Sequence, residues 1–457
     1  MISELGEMFA IKFRRWLPNP FTLAIVLTAV AFLIAWAVTG STADKLLGSW
    51  YKGFWLMLEF TMQMVLIVVL AYAIGLSRPA ESVFNKIASA VKTPKGVYLT
   101  ATVVGLILVF INWGLLILVG VFAYELARRV KGVDYRVLCA AVYGSSLIWH
   151  GGLSASAPLM MNTQSAIAAW IEKGLIEGVV PVTETIFSTL NIVSMIVIAL
   201  TVIVYILFVA PKKVDERWDL ATVIEKVGKV EKAKEEVVEE LLPSDRIDRS
   251  WILSAFIFVI GIIYIVLYFY NKGLAGLNLN SVNFLLLMIG IALHKNLWNY
   301  LQAIRASVSA SADVILQFPF YAGIMGIFMF TGTATVIAKW FASFATPATW
   351  PFIVFLTAAI VNIFVPSGGG EWMVLAPAIL PATKMLGVEY GRVIMAYAYG
   401  DACTNMIQPF WAVIILSAMA SRLPREMKVE AKDFMGYTAI LCIISFVIWA
   451  ILVTVVP

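Results

Sequence analysis

The 457 residues are 61% apolar and only 13% charged, with a mean hydropathy of +0.91 and a formal net charge of +5. A soluble domain carries roughly 25% charged residues, so these proportions exclude a water-soluble globule and put most of the chain in lipid. In a membrane protein the placement of Lys and Arg matters more than their sum, and no nucleic-acid partner is expected.

The opening stretch MISELGEMFAIKFRRW lacks a short apolar region ending in a small-residue cleavage site, so no removable signal peptide is expected. Apolar runs close to the ~20 residues needed to cross a bilayer core fall at 20–39, 54–76, 184–210, 251–270, 282–294, 314–338 and 434–456. Segments 96–130 and 351–386 are too long for one crossing and too short for two. Each reads as a re-entrant hairpin, interrupted at Asn112-Trp113-Gly114 and at Pro366-Ser367-Gly368-Gly369-Gly370. Segments 135–170 and 390–421 read as crossing helices broken between His150 and Pro158 and between Gly400 and Pro409. Such breaks are tolerable at membrane depth only where protein or a water-filled cavity surrounds them. An all-α polytopic protein follows, with nine crossings and two hairpins.

With the N-terminus cytoplasmic and the C-terminus outside, 26 of the 33 Lys and Arg residues fall on the inner side, as the positive-inside tendency demands. Two related halves are expected in opposite orientation: 1–210, then a charged cytoplasmic linker 211–250, a connecting helix in 251–275, and the inverted copy 276–457. Val133-Asp134-Tyr135-Arg136-Val137 parallels Val388-Glu389-Tyr390-Gly391-Arg392-Val393, and Tyr143-Gly144 parallels Tyr399-Gly400. The linker reads as a partly helical, solvated connector. Cys139, Cys403 and Cys442 lie far apart in apolar sequence, which argues against a disulfide framework or a CxxC metal site.

Candidate chemistry sits at the interruptions, where half-helix N-termini offer N–H groups to an anion while unwound carbonyls and hydroxyls suit a cation. Ser367, Gly368, Gly369 and Gly370 let backbone approach a ligand closely. Ser154 and Ser156 supply compact hydroxyls, Asn112 a side-chain amide, and Trp113 a lid over an apolar pocket. In the second broken helix Asp401, Thr404, Asn405 and Gln408 form a polar cluster, and an intramembrane carboxylate is a functional hypothesis by default. Asp401 would ligate a cation, carry a proton or cap its own helix; the same alternatives hold for Glu371. Oxygens of Asn112, Ser154, Ser367, Asp401 and Asn405 form a candidate Na+ set. His150 reads better as a hydrogen-bonded packing residue than as a proton relay, and His294 as interfacial. No Lys or Arg falls deep in a span on this map, so a carboxylate would be held by backbone dipoles and neutral donors, which favours a small monoanion.

The strings INWG (111–114), WHGGLSASAP (149–158), PSGGGEW (366–372) and YGDACTNMIQPFW (399–411) resemble those of the short-chain fatty acid transporter family, the AtoE-type permeases of the ion transporter superfamily, in order along the whole chain. The resemblance implies import of small monocarboxylates such as butyrate or acetoacetate across the inner membrane. It also implies an elevator-like or rocking carrier with scaffold and transport portions, often a homodimer; the leading expectation is alternating access with Na+ or H+ symport and no other cofactor. The family pattern carries Gln after the three glycines, where this chain has Glu371. Carriage of C4-dicarboxylates or amino-acid derivatives is the second reading. A channel or an intramembrane enzyme explains an inverted repeat less well than a carrier does.

Overall fold

The computed structural model describes residues 20–227, 242–363, 365–420 and 423–456, and among them every regular element is a helix. In chain order these are α1 (Pro20–Thr39), α2 (Ala43–Leu56), α3 (Leu58–Gly75), α4 (Arg78–Ala90), α5 (Pro94–Ile111), α6 (Leu116–Ala127), α7 (Tyr135–Ser145), α8 (Ser156–Met161), α9 (Gln164–Glu172) and α10 (Thr189–Val209). After the linker helices α11 (Leu220–Val227) and α12 (Pro243–Asp248) come α13 (Trp251–Lys272), α14 (Leu279–His294), α15 (Leu297–Ser307), α16 (Ala312–Thr331), α17 (Thr333–Phe344), α18 (Trp350–Val361), α19 (Gly368–Leu386), α20 (Tyr390–Asn405), α21 (Pro409–Ala420) and α22 (Ala431–Val455). Six helices among the described residues are long and apolar enough to cross a bilayer, in α3, α5, α10, α13, α16 and α22. The chain is a polytopic membrane protein.

Helix ends follow local chemistry. Thr93 caps α5 through the Gly96 N–H, with Pro94 at the first helical position. Asn278 and Ser281 exchange capping bonds at the start of α14. The apolar run 314–338 stops at Thr331 because Gly332 turns left-handed at φ 83°, and α17 leaves as a separate helix. The second broken segment is interrupted over fewer residues than its sequence suggests: Gly400 and Asp401 lie inside α20, and only Met406, Ile407 and Gln408 separate it from α21. Pro409, which has no N–H and disfavours helix in the residue before it, sets that end. The first arm of 96–130 is a full 18-residue helix rather than the half-length one expected.

Apolar side chains face outward as lipid requires. On α13 only Ser254 and Gly261 are buried, while Trp251, Phe256 and Tyr264 stand exposed. Lipid tails are as apolar as Leu, so helices associate by close packing at small residues. At the crossing of α2 and α16, a Cβ on Gly53 would lie 2.6 Å from the Gly326 Cα, and a Cβ on Gly326 would lie 2.4 Å from the Gly53 Cα.

The described front of the linker is not only solvated. Asp219 Oδ2 accepts the Gly132 N–H (2.8 Å) and the Thr222 hydroxyl (2.7 Å), Arg136 lies over the Trp218 ring, and Leu220 is fully buried. Its centre, 228–241, lies outside the described residues.

Candidate functional site

Two helix–break–helix tips meet two broken helices. α5 ends because Asn112 takes extended backbone (φ −156°, ψ 121°), and Asn112 Oδ1 accepts the Gly114 N–H at 2.8 Å, starting the short turn Trp113–Leu115 that feeds α6. This tip is tied to the break after α7. The Trp113 N–H donates to Ser154 Oγ (3.0 Å) and the Leu153 N–H to the Phe110 carbonyl (2.7 Å).

The second tip begins α19 at Gly368, where Ser367 Oγ accepts the Gly370 N–H at 3.3 Å. It rests on the first half's break: a Cβ on Gly368 would come within 2.6 Å of His150 Cε1 and of the Trp149 ring. Glycine is required by that close approach. Behind it, Asn362 joins the tip to α20. Its Nδ2 lies 2.9 Å from the Asp401 carbonyl, 3.0 Å from Thr404 Oγ1 and 2.9 Å from Asn405 Oδ1, while its carbonyl accepts from Gln408 Nε2 at 2.6 Å.

The two broken helices are joined to each other. The Tyr143 hydroxyl donates to the carbonyls of Asn405 and Gln408. His150 Nδ1 lies 2.7 Å from Asp401 Oδ2, and both side chains are wholly buried. His150 Nε2 receives the Ala157 N–H (3.2 Å) and sits 3.1 Å from the Ser156 hydroxyl. The imidazole stacks on Trp149 at 4.1 Å and meets the Tyr397 ring edge-on at 5.6 Å.

Between tips and breaks lies a cavity of about 60 Å³, room for more than one water molecule. Ser146, Ser156, Ser367, Gly368, Gly369 and Asn405 contribute its polar edge; Trp113, Trp149, Phe318 and Trp411 contribute to its apolar wall. A second cavity of about 80 Å³ shares Trp113, Leu116, Val314, Phe318, Ser367 and Trp411 with it. A largely apolar pocket with a few convergent polar groups is the usual form of a small-ligand site, and this one suits a short hydrocarbon chain ending in one polar group.

The sequence candidates therefore fall into distinct places. Trp113, Ser156, Ser367, Gly368, Gly369 and Asn405 line the cavity. Asn112 and Ser154 hold the first tip, Thr404 and Gln408 are bonded to Asn362, and Gly370 packs against Tyr321. The oxygens of the Na+ set do not converge free of partners: each already accepts from a nitrogen donor or, for Asp401, faces the His150 ring. His150 belongs to a buried ion-pair geometry, whereas His294 binds the Ala73 carbonyl through Nε2 at 2.8 Å. Cys403 and Cys442, distant in sequence, place their sulfurs 3.9 Å apart.

The sequence reading passed over Asn362, Tyr143, Tyr397, Trp149, Phe318 and Trp411. For Asn362 a signal existed, since it is a polar residue at membrane depth just before a tip, as Asn112 is in the first half. Trp149 and Trp411 stood inside the quoted motif strings and Tyr143 in the Tyr143-Gly144 parallel, but nothing set them apart as wall residues, because aromatic residues are ordinary in apolar sequence.

The family model described as "Short chain fatty acid transporter" matches residues 1–456. A protein of Escherichia coli strain K12, provisionally named a short-chain fatty acid transporter, is 35% identical over 453 residues covering 99% of both chains. One of Haemophilus influenzae with the same provisional name is 33% identical over 441 residues, 96% of each. Among solved structures, the Alcanivorax borkumensis YdaH transporter is similar in fold (TM-score 0.61, 14% identity, 96% of this chain and 98% of that one). So is Neisseria gonorrhoeae MtrF, described as illuminating a class of antimetabolite efflux pumps (TM-score 0.57, 18% identity, 97% and 96%). The relatives are transporters, not enzymes, and this chain belongs to the short-chain fatty acid transporter family.

Proposed function

We propose that this protein imports short-chain monocarboxylates, with butyrate and acetoacetate as type substrates, across the inner membrane by cation symport and alternating access. The observation that carries the reading is the cavity between Ser367–Gly369 and the break at Trp149–Ser156. The N–H groups at the start of α19 offer a carboxylate the positive end of a helix dipole, and Trp113, Trp149, Phe318 and Trp411 enclose an alkyl chain. Among the described residues no Lys or Arg lines this cavity, and a dicarboxylate would leave its second charge against aromatic rings.

Segments 96–130 and 351–386 act in this reading as re-entrant hairpins of two inverted repeats, one entering from each face. The break in each half and the tip of its partner hairpin form the moving gate. The N-terminus is cytoplasmic and the C-terminus outside.

The test is counterflow in proteoliposomes, which separates carrier exchange from passive permeation of the protonated acid. Vesicles loaded with unlabelled butyrate should take up external labelled butyrate transiently and saturably, and acetoacetate should compete. Absence of saturable exchange for every monocarboxylate from two to six carbons would defeat the proposal.

A further inference from the structure

The first cavity adjoins the second, of about 80 Å³, along a wall they share: Trp113, Val314 and Phe318 line both, and Ser367 stands at the edge of both. Their chemistry differs. The first has the start of α19 and the Ser146 and Ser156 hydroxyls at its edge, whereas Val68, Leu116, Ile117 and Pro366 make the second largely apolar. Among the described residues that line the second, Gln317 alone brings a side-chain amide, and it is only 4% exposed.

Helical spacing puts Gln317 there. Val314, Gln317, Phe318 and Tyr321 follow one another at i, i+3, i+4 and i+7 along α16 and so share one face of it. That face lies against the second tip: a Cβ on Gly370 would clash with the Tyr321 ring, and one on Gly369 would lie 3.5 Å from the Phe318 ring. The Tyr321 hydroxyl donates to Gln317 Oε1 at 3.2 Å. With Tyr321 on the carbonyl side of the amide, a ligand oxygen meets the N–H2 side, whose two hydrogens can serve a ligand and a protein acceptor together. Burying an amide in an apolar chamber costs free energy unless polar groups meet it, and a plain alkyl chain gives no use for one.

Resting on the transport reading above, we propose that the second cavity receives the tail of the substrate and that Gln317 binds an oxygen carried on that tail, so that Gln317 selects 3-oxo and 3-hydroxy acids over plain alkyl acids of the same length. The carboxylate stays at the start of α19, and the carbon chain passes Trp113 and Phe318, which wall both cavities. The tail oxygen then accepts an N–H of Gln317. The selectivity is one-sided. An apolar pocket rejects an added hydroxyl only weakly, whereas a site that bonds a substrate oxygen rejects the analogue without it strongly, because its own polar group is left against hydrocarbon. The unsubstituted chain is therefore the poorer ligand, by about tenfold or more.

Competition tests this. In counterflow of labelled butyrate by the wild type, unlabelled 3-hydroxybutyrate and acetoacetate should compete about tenfold more strongly than unlabelled butyrate. Equal competition by all three overturns the subsite and leaves the transport reading standing. In Gln317→Met, which keeps an unbranched side chain and has no N–H, the ratio should fall to near equality whatever becomes of the absolute rate. A purely structural Gln317 would weaken exchange of all three acids alike, and a wild-type ratio in this variant overturns the proposal. Should Gln317→Met not elute as a monodisperse peak, Tyr321→Phe, which releases the amide, should narrow the ratio about threefold; an unchanged ratio there overturns it equally. Melting curves of the detergent-solubilised wild type judge the subsite without transport: 3-hydroxybutyrate should stabilise at lower concentration than butyrate, and equal stabilisation counts against Gln317. Absence of exchange for every acid defeats the transport reading and leaves these melting curves to decide the subsite.

Discussion

Asn362 shows how one buried amide organises the second half. Its Nδ2 reaches Asp401, Thr404 and Asn405 together, so it sets the position of the α20 segment that also carries the partner of His150. Leucine at this site keeps the branching at Cγ but removes every one of those bonds, leaving buried polar groups unpaired at ~1–3 kcal/mol each. Asn362→Leu should lower the melting temperature of the detergent-solubilised protein and reduce butyrate counterflow severely; unchanged values for both would remove Asn362 from the site. At this scale the sequence marked Asn112, Ser367, Asp401 and Asn405 because polar residues are costly at membrane depth. It did not separate those that line the cavity from those that only hold the tips, since that depends on which way each side chain turns.

Among elements, α2 and α16 approach closely at Gly53 and Gly326. Here backbone meets backbone, so a larger side chain cannot be absorbed by a rotamer change, and in lipid there is no hydrophobic gain to offset the separation. Gly326→Leu should therefore reduce folded yield, read as the monodisperse fraction in size-exclusion chromatography, and lower the melting temperature; Gly174→Leu is not an equivalent comparison, because its φ of 69° adds backbone strain. Wild-type behaviour of the Gly326 variant would show that the crossing does not hold the two helices. Helix existence was readable in the sequence, as α10, α13 and α22 fall where apolar runs of crossing length fall. Subdivision was less so. α16 and α17 are one apolar run split by Gly332, α9 is a separate short helix at the end of the segment 135–170 read as one broken crossing, and α4 and α15 are short helices whose mixed composition gave no span signal.

For the whole molecule, the proposed orientation rests on the distribution of Lys and Arg, since the nine-crossing reading puts 26 of the 33 on the inner side. In a variant with Cys139, Cys403 and Cys442 replaced, a single cysteine at Lys45 should react with a membrane-impermeant maleimide on intact cells. One at Lys86 should react only after permeabilisation, and the opposite pattern would reverse the topology. Hydropathy and helix-breaking residues are local properties, so they suffice to place this chain in the membrane and to locate its apolar runs of crossing length, though not every division within them. Motif strings likewise carried the family. Helix packing is what makes His150 and Asp401, 251 positions apart, partners, makes Asn362 a junction, and brings five aromatic residues to the wall of one cavity. A partnership between side chains on separate helices depends on how those helices are turned toward each other, and no short stretch of either one encodes that rotation.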